Sequence, residues 1–206
     1  MAATVATPRL SARERLLAAA DELFYAEGVH TVGIDRIIEQ AGVAKATLYN
    51  NFGSKEELVQ AYLESRHVTM AKRITRLVER QDTPRERLLA VFDAVGELFE
   101  QPGFRGCAFV SATAEAPAGG LIEQASRENR TWVNALFADL AEQAGAADPG
   151  GLARQLHLLY DGASLAAKLD HNPAAAVYAR NAAAALLDAA TAPEVAGAPR
   201  EESAAL

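Results

Sequence analysis

Apolar residues recur every three or four positions over most of the chain, with charged and polar residues between them. This spacing places apolar side chains on one face of an α-helix, so it predicts a series of amphipathic helices. The clearest stripes are Leu16, Ala20, Leu23 and Phe24; Leu88, Phe92, Val95 and Phe99; and Leu121, Ile122, Ala125, Trp132, Leu136 and Leu140. Strand-like alternation covers no comparable length. The pattern therefore predicts an all-α fold.

Residues that cap helices mark where several of these elements begin. Ser11, Ser54 and Thr83 are each followed by Glu three positions later, which is the arrangement of a capping box. Asp148-Pro149 and Asn172-Pro173 each combine an N-cap residue with Pro at the first helical position. The starts and stripes together predict about nine helices, near residues 11–27, 34–41, 45–51, 55–80, 84–100, 105–115, 119–144, 149–170 and 173–190.

Two of these helices, at 34–41 and 45–51, are too short to be stable alone, so tertiary contacts must maintain them. Gly42 lies between them and can adopt a turn conformation that other residues adopt at a cost. The residues that can form a small core between them are Ile37, Ala41, Val43, Leu48 and Phe52. Those on the opposite side of the second helix are Lys45, Ala46, Thr47, Tyr49, Asn50 and Asn51. Such a pair is typical of a DNA-binding helix-turn-helix, although short helices joined at glycine also occur in other helical proteins.

Composition narrows the class of protein. The 206 residues carry a net charge of −7, and residues 1–60 contain six basic and eight acidic residues. Any DNA binding must therefore depend on where a few groups lie, and not on bulk charge. The single cysteine, Cys107, cannot form an internal disulfide, and a redox role for it is a minor alternative to a core role. No zinc-ligand spacing, signal-peptide core or membrane-length apolar run is evident, so we expect a cytoplasmic protein without metal or cofactor.

The run AGVAKATLYNNFGSKEELV, within residues 28–63, resembles the DNA-binding domain of the TetR family of transcriptional regulators. The match includes the glycine at the turn, Thr47-Leu48-Tyr49, Phe52 and the helix start at Ser54-Lys55. A looser similarity, to family members with a GCxFxxAxxE segment, covers residues 106–115. The resemblance implies a homodimer that binds pseudo-palindromic double-stranded operator DNA, usually as a repressor, and responds to a small-molecule effector.

The resemblance also implies roles for single residues. Lys45 and Ala46 match positions that read base edges, and Thr47, Tyr49, Asn51 and Lys55 match positions that contact phosphates. Asn50 can do either, and Arg36 on the preceding helix completes the expected DNA-binding set. Three departures stand out: Ala44 lacks a capping side chain, Gly33 replaces a hydroxyl residue, and Ile38 is bulkier than usual.

The rest of the chain is expected to bind the effector and to form the dimer. We divide the chain into a flexible arm at 1–10, the helix-turn-helix domain at 11–53, an effector-binding and dimerisation domain at 54–191, and a flexible tail at 192–206. Candidate pocket residues are Phe92, Phe99, Phe109, Trp132, Phe137, His157, Tyr160 and Asp161. For each large apolar side chain the default role is to fill the core, and for His157 and Asp161, four positions apart, the alternative is an exposed or mutually satisfied pair. Candidate dimer residues are Gly162, Ala163, Ala166, Ala167, Ala182, Ala183, Leu186 and Leu187, for which contacts within the chain are the rival interpretation.

Two other functions compete with a DNA-binding regulator. An enzyme would need converging catalytic groups, and the chain has no GxSxG, HExxH or P-loop motif. A helical ligand-binding or scaffold protein with a vestigial helix-turn-helix is the closer alternative. For a regulator, the long fourth helix is the expected lever, since it begins at the DNA-facing Lys55 and ends among the core helices.

Overall fold

The computed structural model describes residues 10–192, and all regular structure in this part of the chain is helical. The helices are α1 (Ala12–Glu27), α2 (Ile34–Ala41), α3 (Lys45–Phe52), α4 (Lys55–Val78), α5 (Pro84–Phe99), α6 (Ala108–Glu115), α7 (Leu121–Gln143), α8 (Pro149–Leu169) and α9 (Ala175–Thr191). This confirms the predicted all-α class, and the helix bounds differ from the expected ones by a few residues at most. The proposed arm at 1–10 and tail at 192–206 fall outside the described residues, except for Leu10 and Ala192.

The helix starts agree only in part with the predicted caps. Ser11 forms the complete capping box, since its hydroxyl accepts from the Glu14 amide while the Glu14 carboxylate accepts from the Ser11 amide. At Ser54 and Thr83 only the side-chain acceptor bond is present, so the predicted boxes there are incomplete. Asp148 caps α8 as expected.

The predicted start of α9 at Asn172-Pro173 is wrong. The Asn172 side chain accepts from the Ala174 amide at 3.0 Å, which closes a local turn. The next two amides donate to carbonyls three residues back, and the α-helix begins only at Ala175. The short polar side chain of Asn172 thus stabilises a turn ahead of the helix and does not cap the helix itself.

A first hydrophobic cluster joins α1, α2, α3 and the first half of α4, and also receives α6 and the start of α7. Leu16, Ile37, Leu48 and Leu58 are completely buried within it. The short helices α2 and α3 therefore pack against longer elements, which accounts for their stability.

A second cluster consists of α5, α7, α8 and α9 together with the end of α4. Phe92 and Phe137 are fully buried at its centre, with their ring centroids 5.7 Å apart. α4 contributes to both clusters, since Leu58 belongs to the first and Ile74 to the second. One continuous helix thus connects the two halves of the molecule.

Candidate nucleic-acid interface and ligand cavity

The outer face of α3 carries the polar residues that the sequence places there. Leu48 and Phe52 point into the first cluster, whereas Lys45, Ala46, Asn50 and Asn51 are exposed and Thr47 is half-buried. Tyr49 is 43% exposed, so its ring is accessible on the same face. Gly42 has φ 62° and ψ 46°, a left-handed conformation that favours glycine and turns the chain between α2 and α3.

Two of the cations expected on this surface are paired with carboxylates. Lys45 Nζ lies 3.0 Å from Asp35 Oδ1, and Arg36 forms a two-bond pair with Glu27 at 2.5 and 2.9 Å. The hydrogen bonds from Asp35 and Glu27 raise the pKa of Lys45 and Arg36, respectively. The sequence reasoning did not identify Asp35 as a partner of Lys45, because the contact joins α2 to α3 and does not follow from either helix alone.

Lys55 has a different environment, at the first position of α4. It is half-buried, and burial lowers the pKa of its ammonium group, which Glu115 partly opposes. No carboxylate of the described residues lies within ion-pair distance of Lys55. An unpaired, partly desolvated cation beside the free amides of a helix N-terminus favours a bound anion such as a phosphate.

α1 adds a cation that the sequence reasoning overlooked. The Arg13 guanidinium carbon lies 4.8 Å from the ring centroid of Phe52, the last residue of α3. No local pattern indicates this contact, because it depends on how α1 crosses the end of α3.

A cavity of about 390 Å³ that is partly open to solvent lies among α4, α6, α7 and α8 and the segment that follows α5. Four predicted pocket residues line it: Phe109, His157, Tyr160 and Asp161. The other four do not. Phe92, Phe99 and Phe137 are buried in the second cluster, and Trp132 packs against the His67 ring with the centroids 5.0 Å apart. Helical periodicity identifies an inward face but cannot separate residues that fill a core from residues that border a cavity.

Most charged groups at the cavity wall are paired. Arg66 binds Asp21 of α1 through two hydrogen bonds of 2.6 and 2.9 Å. Arg130 binds Asp161 at 2.7 Å, and His157 Nε2 lies 3.8 Å from the same carboxylate. Burial lowers the pKa of His157, more than Asp161 raises it, so this imidazole is neutral at pH 7.

Cys107 also lines the cavity, at the N-cap of α6. Burial raises the pKa of its thiol. The reactive species of cysteine is the thiolate, so this environment disfavours a redox-sensing reaction at neutral pH.

The cavity is connected to the helix-turn-helix through two sets of contacts. The Tyr25 hydroxyl, from α1, donates to the Gly106 carbonyl at 3.1 Å and accepts from the Arg105 amide at 2.9 Å. The Glu115 carboxylate, at the end of α6, accepts from the His30 amide at 2.7 Å. Tyr25 and α6 both border the cavity, so a ligand there would contact elements attached to the helix-turn-helix.

The predicted dimer residues divide into two groups. Ala163, Ala167, Ala183 and Leu187 are buried inside the second cluster, so for these four the structure supports contacts within the chain. Gly162 and Ala182 are exposed, and Ala166 and Leu186 are half-buried. The large exposed apolar residues of the two helices, which the sequence reasoning missed, are Leu158, Leu165, Leu169, Val177 and Tyr178. We call Leu158, Gly162, Leu165 and Leu169, which repeat every three to four positions on α8, together with Tyr178 and Ala182 of α9, the α8–α9 face.

The described residues contain no group of three or more His, Cys, Asp or Glu side chains that could hold a metal ion. Within residues 10–192, none of the helices combines the length and the hydrophobicity needed to cross a bilayer.

Residues 16–62 match the family described as bacterial regulatory proteins, tetR family. The crystal structure of a TetR-family transcriptional regulator from Streptomyces coelicolor is similar, with 34% identity, a TM-score of 0.82 and coverage of 88% of this chain and 96% of that one. The reduced form of NemR from Escherichia coli has a TM-score of 0.75 at 27% identity, with coverage of 84% and 94%.

Among curated proteins, the transcriptional activator FasR from Mycolicibacterium smegmatis is 38% identical over 94 residues, which are 45% of this chain and 42% of FasR. The transcriptional repressor NemR from Escherichia coli is 32% identical over 105 residues, which are 50% of this chain and 53% of NemR. The chain spans about half the length of these curated relatives.

Proposed function

The chain belongs to the TetR family of transcriptional regulators, and we propose that it is a homodimeric one-component repressor. In this proposal α3 reads a pseudo-palindromic operator, and a small, largely apolar effector in the cavity releases the DNA. The transcriptional regulators similar to this chain include both an activator and a repressor. Repression is proposed because the resemblance to the TetR family implies it as the usual mode, and the contacts between the cavity and the helix-turn-helix offer a route by which a ligand could release the DNA.

The exposed polar face of α3 is the observation that supports DNA binding most directly. The eight-residue helix α3 buries Leu48 and Phe52 and leaves Tyr49 and Asn50 on the surface, where they are available to a partner. A major groove accommodates one helix, and its base edges match amide and ammonium side chains. Lys55, unpaired within the described residues, supplies a phosphate contact at the edge of this surface.

The α8–α9 face supports dimerisation. Leu158 is 70% exposed and Tyr178 is 68% exposed, on two helices that pack side by side. Adjoining apolar side chains that remain exposed in a monomer mark a protein interface. A two-fold axis through this face would give each DNA site two reading helices.

The proposed release mechanism is a shift between two conformations. One spacing of the paired α3 helices fits the operator, and an effector that binds the other conformation more tightly depletes the first. α4 begins beside Lys55 and continues into the second cluster, so it remains the expected lever. Tyr25 and Glu115 add two further connections between the cavity and the helix-turn-helix.

An electrophoretic mobility-shift assay on the DNA next to the protein's own gene, at two salt concentrations, tests the proposal. We expect Lys55→Ala to weaken binding to all DNA sequences and to reduce the slope of log K against log salt concentration by about one. Lys45→Ala should instead change the preference among sequences. Lys72→Ala, at an exposed position far along α4, is the matched control and should bind like the wild type. A protein that ignores every duplex at low salt would favour the alternative, a helical ligand-binding or scaffold protein.

A further inference from the structure

The cavity contains one cation whose charge the described residues leave unbalanced. Three guanidinium groups and one carboxylate line it: Arg66, Arg73, Arg130 and Asp161. Arg66 is neutralised by Asp21 and Arg130 by Asp161. Arg73 has no carboxylate within ion-pair distance among the described residues. Because His157 is neutral at pH 7, the paired groups cancel and the wall keeps one positive charge.

The surroundings of Arg73 are those of a binding site for a planar anion. In the amide orientation that satisfies both side chains, Gln101 Oε1 accepts from Arg73 Nη2 at 2.6 Å and from Nη1 at 3.3 Å. This contact orients the guanidinium and leaves further N–H donors without a partner, because the group has five. Met70, Leu98 and Phe104 line the cavity with it.

We propose that the cavity binds a monocarboxylic acid with an apolar body, and that Arg73 holds the carboxylate. This inference rests on the proposed function, whose effector it assigns to a chemical class. A guanidinium matches a carboxylate through two parallel hydrogen bonds, and in a largely apolar cavity such a bond is stronger than in water. The apolar body would lie against Phe109, Val110 and the ring of Tyr160.

The same wall disfavours the other common classes of ligand. A cationic ligand would meet three guanidinium groups on this wall and one carboxylate, Asp161, whose charge is already balanced by Arg130. A neutral ligand would leave the Arg73 guanidinium partly desolvated and without an anion, which costs binding energy. An anionic ligand can pair with Arg73 and leaves the existing ion pairs of the wall intact.

Isothermal titration calorimetry on the full-length, DNA-free protein separates these classes. The probes are straight-chain carboxylates from hexanoate to dodecanoate, each compared with the primary alcohol and the primary amine of the same chain length. We expect the best carboxylate to bind the wild type about 10- to 100-fold more tightly than its alcohol, the range of one charge-assisted contact. Arg73→Met should remove this preference by weakening the carboxylate, while the alcohol binds at least as tightly as it does to the wild type, because the uncompensated guanidinium is gone. Arg73→Lys should retain part of the preference.

Arg80→Met is the matched control, because it removes the same charge at an exposed position just past the end of α4, outside the cavity. It should keep the full carboxylate preference. Equal binding of carboxylate and alcohol to the wild type, tighter binding of the amine, no measurable binding of any carboxylate, or an unchanged preference in Arg73→Met would each overturn the proposal. The calorimetry contains no DNA, so failure of the carboxylate assignment is distinguishable from failure of operator binding in the mobility-shift assay.

Discussion

The start of α3 offers a sharp test of how this sequence stabilises its proposed reading helix. Ala44 is the N-cap, with φ −75° and ψ 152°, and no side chain caps the helix. Ser11, which does cap α1, has φ −61° and ψ 162°, almost the same backbone conformation. A serine at position 44 would therefore place its hydroxyl as Ser11 does, without backbone strain. Because Ala44 is exposed, the added oxygen meets no packed side chain.

The expected gain in stability depends on which backbone amides can donate to the new hydroxyl. The Thr47 amide already donates to the Ala44 carbonyl at 2.9 Å, so the new hydroxyl would either share that donor or take the Ala46 amide. A capping side chain is worth roughly 0.5–2 kcal/mol, and partial competition favours the middle of this range, about 1 kcal/mol. For a protein of this size, that corresponds to a rise of about 2–4 °C in Tm.

Thermal unfolding followed by circular dichroism, at a fixed protein concentration because the protein is expected to be a dimer, measures the effect of Ala44→Ser. Ala46→Ser is the matched control. It makes the same chemical change at an exposed position in the first turn of the helix, where the hydroxyl is not at the N-cap, so Tm should not rise. An unchanged or lower Tm for Ala44→Ser would refute the reasoning that α3 lacks only a capping acceptor.

Three other predictions concern the interface, the dimer and the cavity. Asp35→Asn releases Lys45 and removes a negative charge from the DNA-facing surface, so operator affinity in the mobility-shift assay should rise about two- to fivefold at low salt, with less gain at high salt. Tyr178→Glu places a charge in the α8–α9 face, so sedimentation equilibrium should show the dimer weakened by more than about tenfold, with loss of operator binding. Burial lowers the pKa of His157 in the folded state, so the unfolded chain binds more protons at low pH and stability should fall as the pH drops below about 6.5. Urea unfolding at pH 7 and pH 5 measures this effect. Between these pH values, His157→Gln should lose less free energy of unfolding than the wild type does.

Local signals made much of the fold predictable. Ser11, Asp148 and the apolar stripes depend on neighbours within one turn of helix, and the helices they predict are present. Asn172 shows the limit of such signals, because the same short side chain can close a turn or cap a helix, and sequence alone does not decide between them.

The candidate sites depend more on contacts between helices, and here prediction was weaker. Trp132 and Phe109 follow the same helical periodicity, yet one packs on His67 and the other borders the cavity. The pairing of Lys45 with Asp35 depends on how α2 crosses α3. On α8, small residues suggested close approach between subunits, but Ala163 and Ala167 pack within the chain and the exposed side chains are larger.

The position of α6 determines how the proposed effector could act. α6 has eight residues and no side-chain cap, so tertiary contacts must hold it in place. Besides packing, these include the hydrogen bond between the Thr113 and Ser126 hydroxyls and the one from the His30 amide to Glu115. Ala112 packs into the first cluster beneath the helix-turn-helix, while Phe109 and Thr113 border the cavity. A ligand that displaces α6 must therefore also disturb the bond from the His30 amide to Glu115, at the far end of the same short helix. Because coupling between two sites is reciprocal, an operator that fixes the helix-turn-helix should weaken ligand binding by the same factor by which the ligand weakens operator binding.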